Sequence, residues 1–159
     1  MLIGVISDSH DNIPIITKAV QYFNDRGVKM VIHAGDYVAP FALKPMAKLN
    51  CEYVGVFGNN DGEILGLNKV SEGRIKIAPY SLTLDNKKIL VLHEPGALEA
   101  LTESQVYDII IYGHTHEAAV KKHGKTLVVN PGECGGWLED KRSIAIINLD
   151  DLNSEIRYL

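Results

Sequence analysis

Apolar and polar positions follow one another in blocks along this chain, and each block predicts one element. Leu2–Ile6 is a short, continuous, β-rich run bounded by the polar stretch 7–12, so it reads as a central strand. Ile16, Val20 and Phe23 then fall at i, i+4 and i+7, one core-facing stripe of a helix from about Ile13 to Arg26. Asn12 is its expected N-cap, Pro14 sits in the first turn where proline is tolerated, and Gly27 is its stop. Met30–His33 makes a second strand. A shorter helix around Pro40–Leu49 follows, bent or interrupted by Pro45, and Glu52–Phe57 makes a third strand. Strand–helix–strand–helix–strand implies parallel neighbours joined by right-handed crossovers.

The texture changes in the second half. Residues 62–73 allow a short helix that Gly66 weakens, and from Ile75 hairpins dominate. Tyr80–Leu84 and Lys88–Leu92 flank an Asp85-Asn86 turn and end in His93. Ala97–Glu103 reads as a short helix and 108–112 as a buried strand that stops at Gly113, whose backbone freedom suits a tight turn. Val120–Lys122 and Thr126–Val129 flank a His123-Gly124 turn, a Gly-rich loop spans 131–137, and Ser143–Leu149 with Glu155–Tyr158 closes the chain as a final hairpin. A two-sheet sandwich with helices outside accommodates a parallel half and a hairpin half. The edge of the last hairpin offers a pairing surface to another subunit, so a homo-oligomer is an open expectation.

Composition changes this picture little. At 159 residues the chain reads as a single domain, 1–159, able to bury roughly 68–70% of its unfolded surface. A net charge of −4 without a basic block argues against non-specific nucleic-acid or membrane-surface binding. The two cysteines, Cys51 and Cys134, are far apart and lack metal-type spacing. No apolar run approaches the roughly 20 residues of a membrane span, and the start lacks signal-peptide character. These features predict a reduced, cytoplasmic enzyme or binding domain.

Candidate chemistry gathers where strands end. The first strand yields Asp8 and His10, the second Asp36, the third Asn59, the hairpin strand Lys88–Leu92 His93, and the 108–112 strand His114 and His116. Each has a plainer reading in isolation. Asp and Asn cap helices, and Asn59-Asn60-Asp61-Gly62 carries turn chemistry. Turn chemistry does not explain why all seven lie at strand ends and none within a helix. Without sulfur, the donor set suits Mn, Fe, Zn, Ni, Co or Mg. Seven groups exceed the three of a catalytic zinc and suit two ions about 3.5–4 Å apart that share a carboxylate. His33 reads as a buried, hydrogen-bonded support and His123 as a solvated hairpin tip. For Trp137, core packing is the default, with cover for a substrate or an oligomer interface as alternatives.

Asp8-Ser9-His10, Gly35-Asp36, Gly58-Asn59-Asn60-Asp61, His93, Gly113-His114-Thr115-His116 and Asn130-Pro131-Gly132 together resemble the ordered motifs of calcineurin-like metallophosphoesterases, at the size of the small YfcE-like phosphodiesterases. The resemblance implies an α/β fold, a four-layer αββα sandwich of two mixed sheets flanked by helices. It assigns Asp8, His10 and His116 to one divalent ion, Asn59, His93 and His114 to a second, and Asp36 to both. It favours Mn or Ni among Mn, Ni, Co, Fe and Zn. It implies hydrolysis of a small phosphate ester by a hydroxide between the ions, with Asn60, Asn59 and Asp36 as the catalytic set.

Three positions depart from the family pattern. Asn60 stands where larger members carry His, and it can donate a hydrogen bond but cannot supply a proton. That predicts a preference for diesters with good leaving groups over alkyl monoesters. Glu94 replaces the usual Gly after the metal-binding histidine, and Glu133 replaces a small hydroxyl residue after Pro-Gly. A carboxylate facing the pocket at either position disfavours highly anionic substrates or offers a further ligand or base. The rival readings are a phosphomonoesterase or nucleotidase, and a non-catalytic scaffold like the retromer subunit of this fold. The intact ligand set speaks against the scaffold.

Overall fold

The strand β1 (Leu2–Ile6) divides the molecule by its pleat. Ile3 and Val5 point into one fully buried cluster, and Ile6 into another on the opposite face. A computed structural model describes residues 1–138 and 141–159. The first sheet adds β2 (Met30–His33), β3 (Glu52–Val56), β4 (Ile75–Lys76), β10 (Ser143–Asn148) and β11 (Asn153–Tyr158). Its order is β11-β10-β1-β2-β3-β4. The second sheet holds β5 (Tyr80–Leu84), β6 (Lys87–Val91), β7 (Ile109–Ile111), β8 (Ala119–His123) and β9 (Thr126–Asn130), in the order β5-β6-β7-β9-β8.

Three apolar clusters define four layers. Between the sheets, Ile3, Val5, Ile32, Ala34 and Val56 meet Ile89, Val91, Ile109, Ile111, Leu127 and Val129. On the outer face of the first sheet, α1 (Ile13–Asp25) buries Ile16, Ala19, Val20 and Phe23, together with Leu67 of α2 (Ile64–Val70). On the outer face of the second, Leu90, Leu92, Ile110 and Val128 pack on Leu98 and Leu101 of α3 (Leu98–Glu103). This is the expected αββα sandwich. Gly4 is required by the first of these contacts, because a Cβ there would lie 2.6 Å from the Phe23 ring.

Several local expectations are revised. Asn12 stands at the N-cap of α1 but makes no capping bond; its Nδ2 donates to Gly135 O at 2.7 Å and ties the helix start to the Gly-rich loop. The segment Pro40–Lys48 is a 3₁₀ helix, with Pro45 inside it; proline's missing N–H and ring oppose continuous α-helical bonding. The change of texture at Ile75 hides β4, which pairs parallel with β3; two residues carry no periodic signal. The two halves are also not separate. The final hairpin joins the first sheet through β10, antiparallel to β1, while β6, β7 and β9 run parallel in the second. Strand β11 forms an edge of its sheet. Among the described residues no helix is long and apolar enough to cross a membrane.

Candidate metal centre

β1, β2, β3, β6 and β7 all end at the same rim of the sandwich, and the loops beyond them are zipped together by backbone bonds. Asp8 N donates to Gly35 O (2.9 Å), Ser9 N and His10 N both donate to Asp36 O (3.0 and 3.1 Å), and Gly135 N donates to Asp8 O (2.9 Å). These bonds hold an unusual backbone. Five of the seven candidate ligands lie in the left-handed region: Asp8 (φ 52), His10 (41), Asp36 (62), His114 (67) and His116 (62). Such conformations cost of order 1–3 kcal/mol each and persist where surrounding structure imposes them. The cost falls on the histidines and aspartates themselves. Gly113 has a different role from the one expected of it. Its φ is not positive; what it supplies is space, since a Cβ there would lie 2.0 Å from Ser7 Oγ and 2.7 Å from Asp8 Oδ2. Through that gap Asp8 accepts a bond from His114 N, 3.1 Å from Oδ2.

The side chains converge in two groups. Ligand atoms of Asp8, His10 and His116 all lie within 4.8 Å of one another, as do those of Asp8, Asp36 and His93. Asn59 Oδ1 lies 2.8 Å from His93 Nε2 and 2.9 Å from His114 Nδ1. Asp36 faces both sides: Oδ2 is 3.6 Å from His10 Nε2 and Oδ1 is 3.4 Å from His93 Nε2. All seven strand-end residues are therefore brought to one place. The donor set fits divalent cations on this structure's own terms. His10 Nε2 is buried without a hydrogen-bond partner beside the buried Asp8 and Asp36 carboxylates, a cost that a bound cation removes.

Electrostatics and supporting bonds fix the roles further. Burial pushes the Asp8 carboxyl up, with the neighbouring Asp36 charge adding to it. Burial also acts upward on Asp36, but bonds with His93 and Asn60 outweigh it and hold the group well below the usual carboxylate range. His93 is raised despite its burial, through Asp36 and the Ala34 carbonyl; its Nδ1 lies 2.8 Å from Ala34 O, leaving Nε2 for the site. Asn60 clamps Asp36 twice, donating from N to Oδ1 (2.9 Å) and from Nδ2 to Oδ2 (2.7 Å). One of its two side-chain N–H groups is thus already engaged.

His33 is the buried support expected. Its Nε2 lies 3.0 Å from Ser9 Oγ, its Nδ1 accepts from Gly35 N at 3.2 Å, and its ring stacks 3.8 Å from that of Tyr37. Burial pushes it down to about 3 from 6.5. A depressed native value means that the unfolded chain takes up the proton first as pH falls. The stabilisation is therefore present above pH 6.5 and is lost on the way down to 3. Urea denaturation of ion-free protein should show about 2 kcal/mol of this loss between pH 6.5 and 5, and His33→Gln should flatten the slope by close to one proton. Equal slopes in the two proteins would contradict this account of His33.

Three residues depart from expectation or escaped it. Trp137 is not a core residue: it is 65% exposed and its Nε1 donates to His10 O at 3.0 Å. Indole needs a partner for its N–H, and here that partner belongs to the site. Glu133 is buried, with Oε2 3.3 Å from His116 Nδ1, while Glu94 is exposed. Asp61, read only as part of a turn, is buried and accepts backbone bonds from Asp36 N (3.1 Å), Val38 N (2.7 Å) and Gly58 N (2.7 Å). Its signal was the repetition of polar residues after β3, which turn chemistry alone accounts for. His123 lies exposed at its hairpin, as expected.

Two clefts open at this rim and share Asn59. One, of about 370 Å³, is lined by Asp36, Asn60, His10, His114, His116, Glu133, Trp137 and Leu138. The other, of about 350 Å³, is lined by Phe57, Ile77, Pro79, Leu92, His93 and Glu94.

Residues 1–152 match the calcineurin-like phosphoesterase superfamily domain, and the chain belongs to that family. A phosphodiesterase of Methanocaldococcus jannaschii is 39% identical over 156 residues, covering 94% of each chain. The solved structure of an archaeal phosphodiesterase superposes with a TM-score of 0.94 at 37% identity and full coverage of both chains. The Escherichia coli phosphoesterase YfcE, at 18% identity, 99% and 98% coverage and a TM-score of 0.76, shares the fold. The family implies divalent metal cofactors, for which this rim holds the candidate ligands.

Proposed function

We propose that this chain is a two-ion phosphodiesterase. The observation that carries the reading is the position of Asp36, whose two oxygens face two separate groups of nitrogen and oxygen donors. Asp8, His10 and His116 would hold one ion, Asn59, His93 and His114 the other, with Asp36 serving both. Mn or Ni are the favoured ions, and a donor set without sulfur accommodates either. Bound divalent ions raise the nucleophilicity of water near neutral pH and polarise phosphoryl oxygens. The side chains supply the rest. Asn60 fixes the Asp36 carboxylate, and His93 is oriented by Ala34. No group at Asn60 can protonate a departing alkoxide, so leaving groups that depart as stable anions are favoured.

The two clefts support a diester over a monoester. A phosphoryl group beside Asn59 has a cleft on each side, one walled by Trp137 and Leu138 and the other by Phe57, Ile77, Pro79 and Leu92, room for two organic substituents. Glu94 and Glu133 add negative charge near these spaces, which disfavours doubly anionic monoesters. The named activity of the relatives at 37–39% identity agrees with this reading and disfavours the scaffold alternative. We place the protein in the cytoplasm, where its two free thiols, Cys51 and Cys134, remain reduced.

The test is chelator-treated protein assayed with bis-p-nitrophenyl phosphate, p-nitrophenyl phosphate and an alkyl monophosphate. The diester should be hydrolysed only after Mn²⁺ or Ni²⁺ is added, with kcat/KM at least about tenfold above either monoester, a difference of ~1.4 kcal/mol. Equal rates on all three would replace the diesterase reading with a general phosphatase.

A further inference from the structure

We propose that Glu133 is a positioning residue. It fixes His116 for its ion and, through the same carboxylate, ties one wall of the substrate cleft to that ion site. This rests on the reading of His116 as a ligand. Three facts support it. Glu133 is only 2% exposed, and a buried carboxylate requires donors. Its Oε1 accepts from Trp137 N at 2.8 Å and its Oε2 from Leu138 N at 3.3 Å, so it folds the loop that carries two cleft residues. Its Oε2 also lies 3.3 Å from His116 Nδ1, while His116 Nε2 lies 3.4 Å from Asp8 Oδ1 on the other side of the ring.

The imidazole chemistry follows from that placement. A histidine that gives Nε2 to a cation must carry its proton on Nδ1. His116 Nδ1 is buried and makes no hydrogen bond, and Glu133 Oε2 is the acceptor within reach. A small rotation of either group converts the contact into an N–H···O bond, which selects the tautomer and orientation that bind a cation. The second ligand of the same group is tied to the same wall, since Trp137 Nε1 donates to His10 O. Loop 133–138 thus touches three ligands of the first ion: His116 through Glu133, His10 through Trp137 and Asp8 through the Gly135 amide. A side chain as short as Ser at this position would not span from the loop amides to the imidazole, whereas Glu133 reaches both.

The isosteric change Glu133→Gln separates positioning from simple loop support. Gln keeps an oxygen for the Trp137 amide but presents an N–H₂ donor to His116, favouring the tautomer that withdraws Nε2 from the ion. Mn²⁺ binding to chelator-treated protein, read by loss of the free-ion EPR signal, should split in this variant. One ion should bind about 10–100-fold more weakly and the other as in the parent. Glu133→Ala should show the same split if it folds. Parent-like binding of both ions by Glu133→Gln overturns the proposal. Failure of the unaltered protein to bind Mn²⁺ at all would overturn instead the ligand assignment on which it rests.

Discussion

Asp36→Asn is expected to lower kcat/KM on a diester by at least about 10³-fold, ~4 kcal/mol of transition-state stabilisation, while leaving a folded protein. Asn is the informative substitution, because Asp36 sits at φ 62, a left-handed conformation that Asn adopts more readily than Ala. The amide removes one negative charge from the point where the two donor groups meet, and sets an N–H₂ group against His93 or the Asn60 donors. The same variant provides a readout independent of turnover. Saturation of the unaltered protein at about 100 times Kd should stabilise it by roughly 2.7 kcal/mol. In Asp36→Asn, Mn²⁺ should give a much smaller shift in melting temperature. A variant that keeps both its activity and its Mn²⁺ response would remove Asp36 from the centre of the site.

The largest effect on stability is expected from a residue that binds no ion. Asp61→Ala leaves the amides of Asp36, Val38 and Gly58 without their acceptor. Each unsatisfied buried donor costs about 1–3 kcal/mol. The expected total is about 3–5 kcal/mol by urea denaturation, because water entering the vacated volume re-satisfies part of the loss. Activity should fall as well, since those amides set the backbone of Asp36 and the approach to Asn59. Asp61→Asn keeps one acceptor oxygen and should be intermediate. A loss below about 1 kcal/mol in the Ala variant would show that the loop after β2 holds its shape without Asp61.

The contrast between Asp36 and Asp61 marks what the chain reveals when read as a line of letters. Strands such as Leu2–Ile6 and Met30–His33 were legible because burial on both faces leaves an unbroken apolar run. The helix α1 was legible because its stripe has one period. Asp8, His10, Asp36, Asn59, His93, His114 and His116 were legible because chemistry accumulates where such strands stop, and the resemblance then divided them between two ions. Contacts across long sequence separations left no comparable trace. Asp61 serves a residue 25 positions earlier, Trp137 reaches back 127 positions to His10, and β10 pairs with β1 across the whole chain. Residue type misled at Trp137, where an aromatic default to the core overlooked an indole whose N–H is satisfied only at the rim of the site. At Gly113 the residue was rightly singled out for the wrong cause: close approach of Asp8 and Ser7, with the left-handed turns borne by His114 and His116.

Those two histidines state the central claim in miniature, since positions two residues apart on one short loop are assigned to different ions. Anomalous diffraction from crystals soaked in Mn²⁺ tests it most directly. Two peaks about 3.5–4 Å apart are expected, one against Asp8, His10 and His116 and the other against Asn59, His93 and His114, with Asp36 touching both. A single peak, or two peaks with His114 and His116 on the same ion, would contradict it.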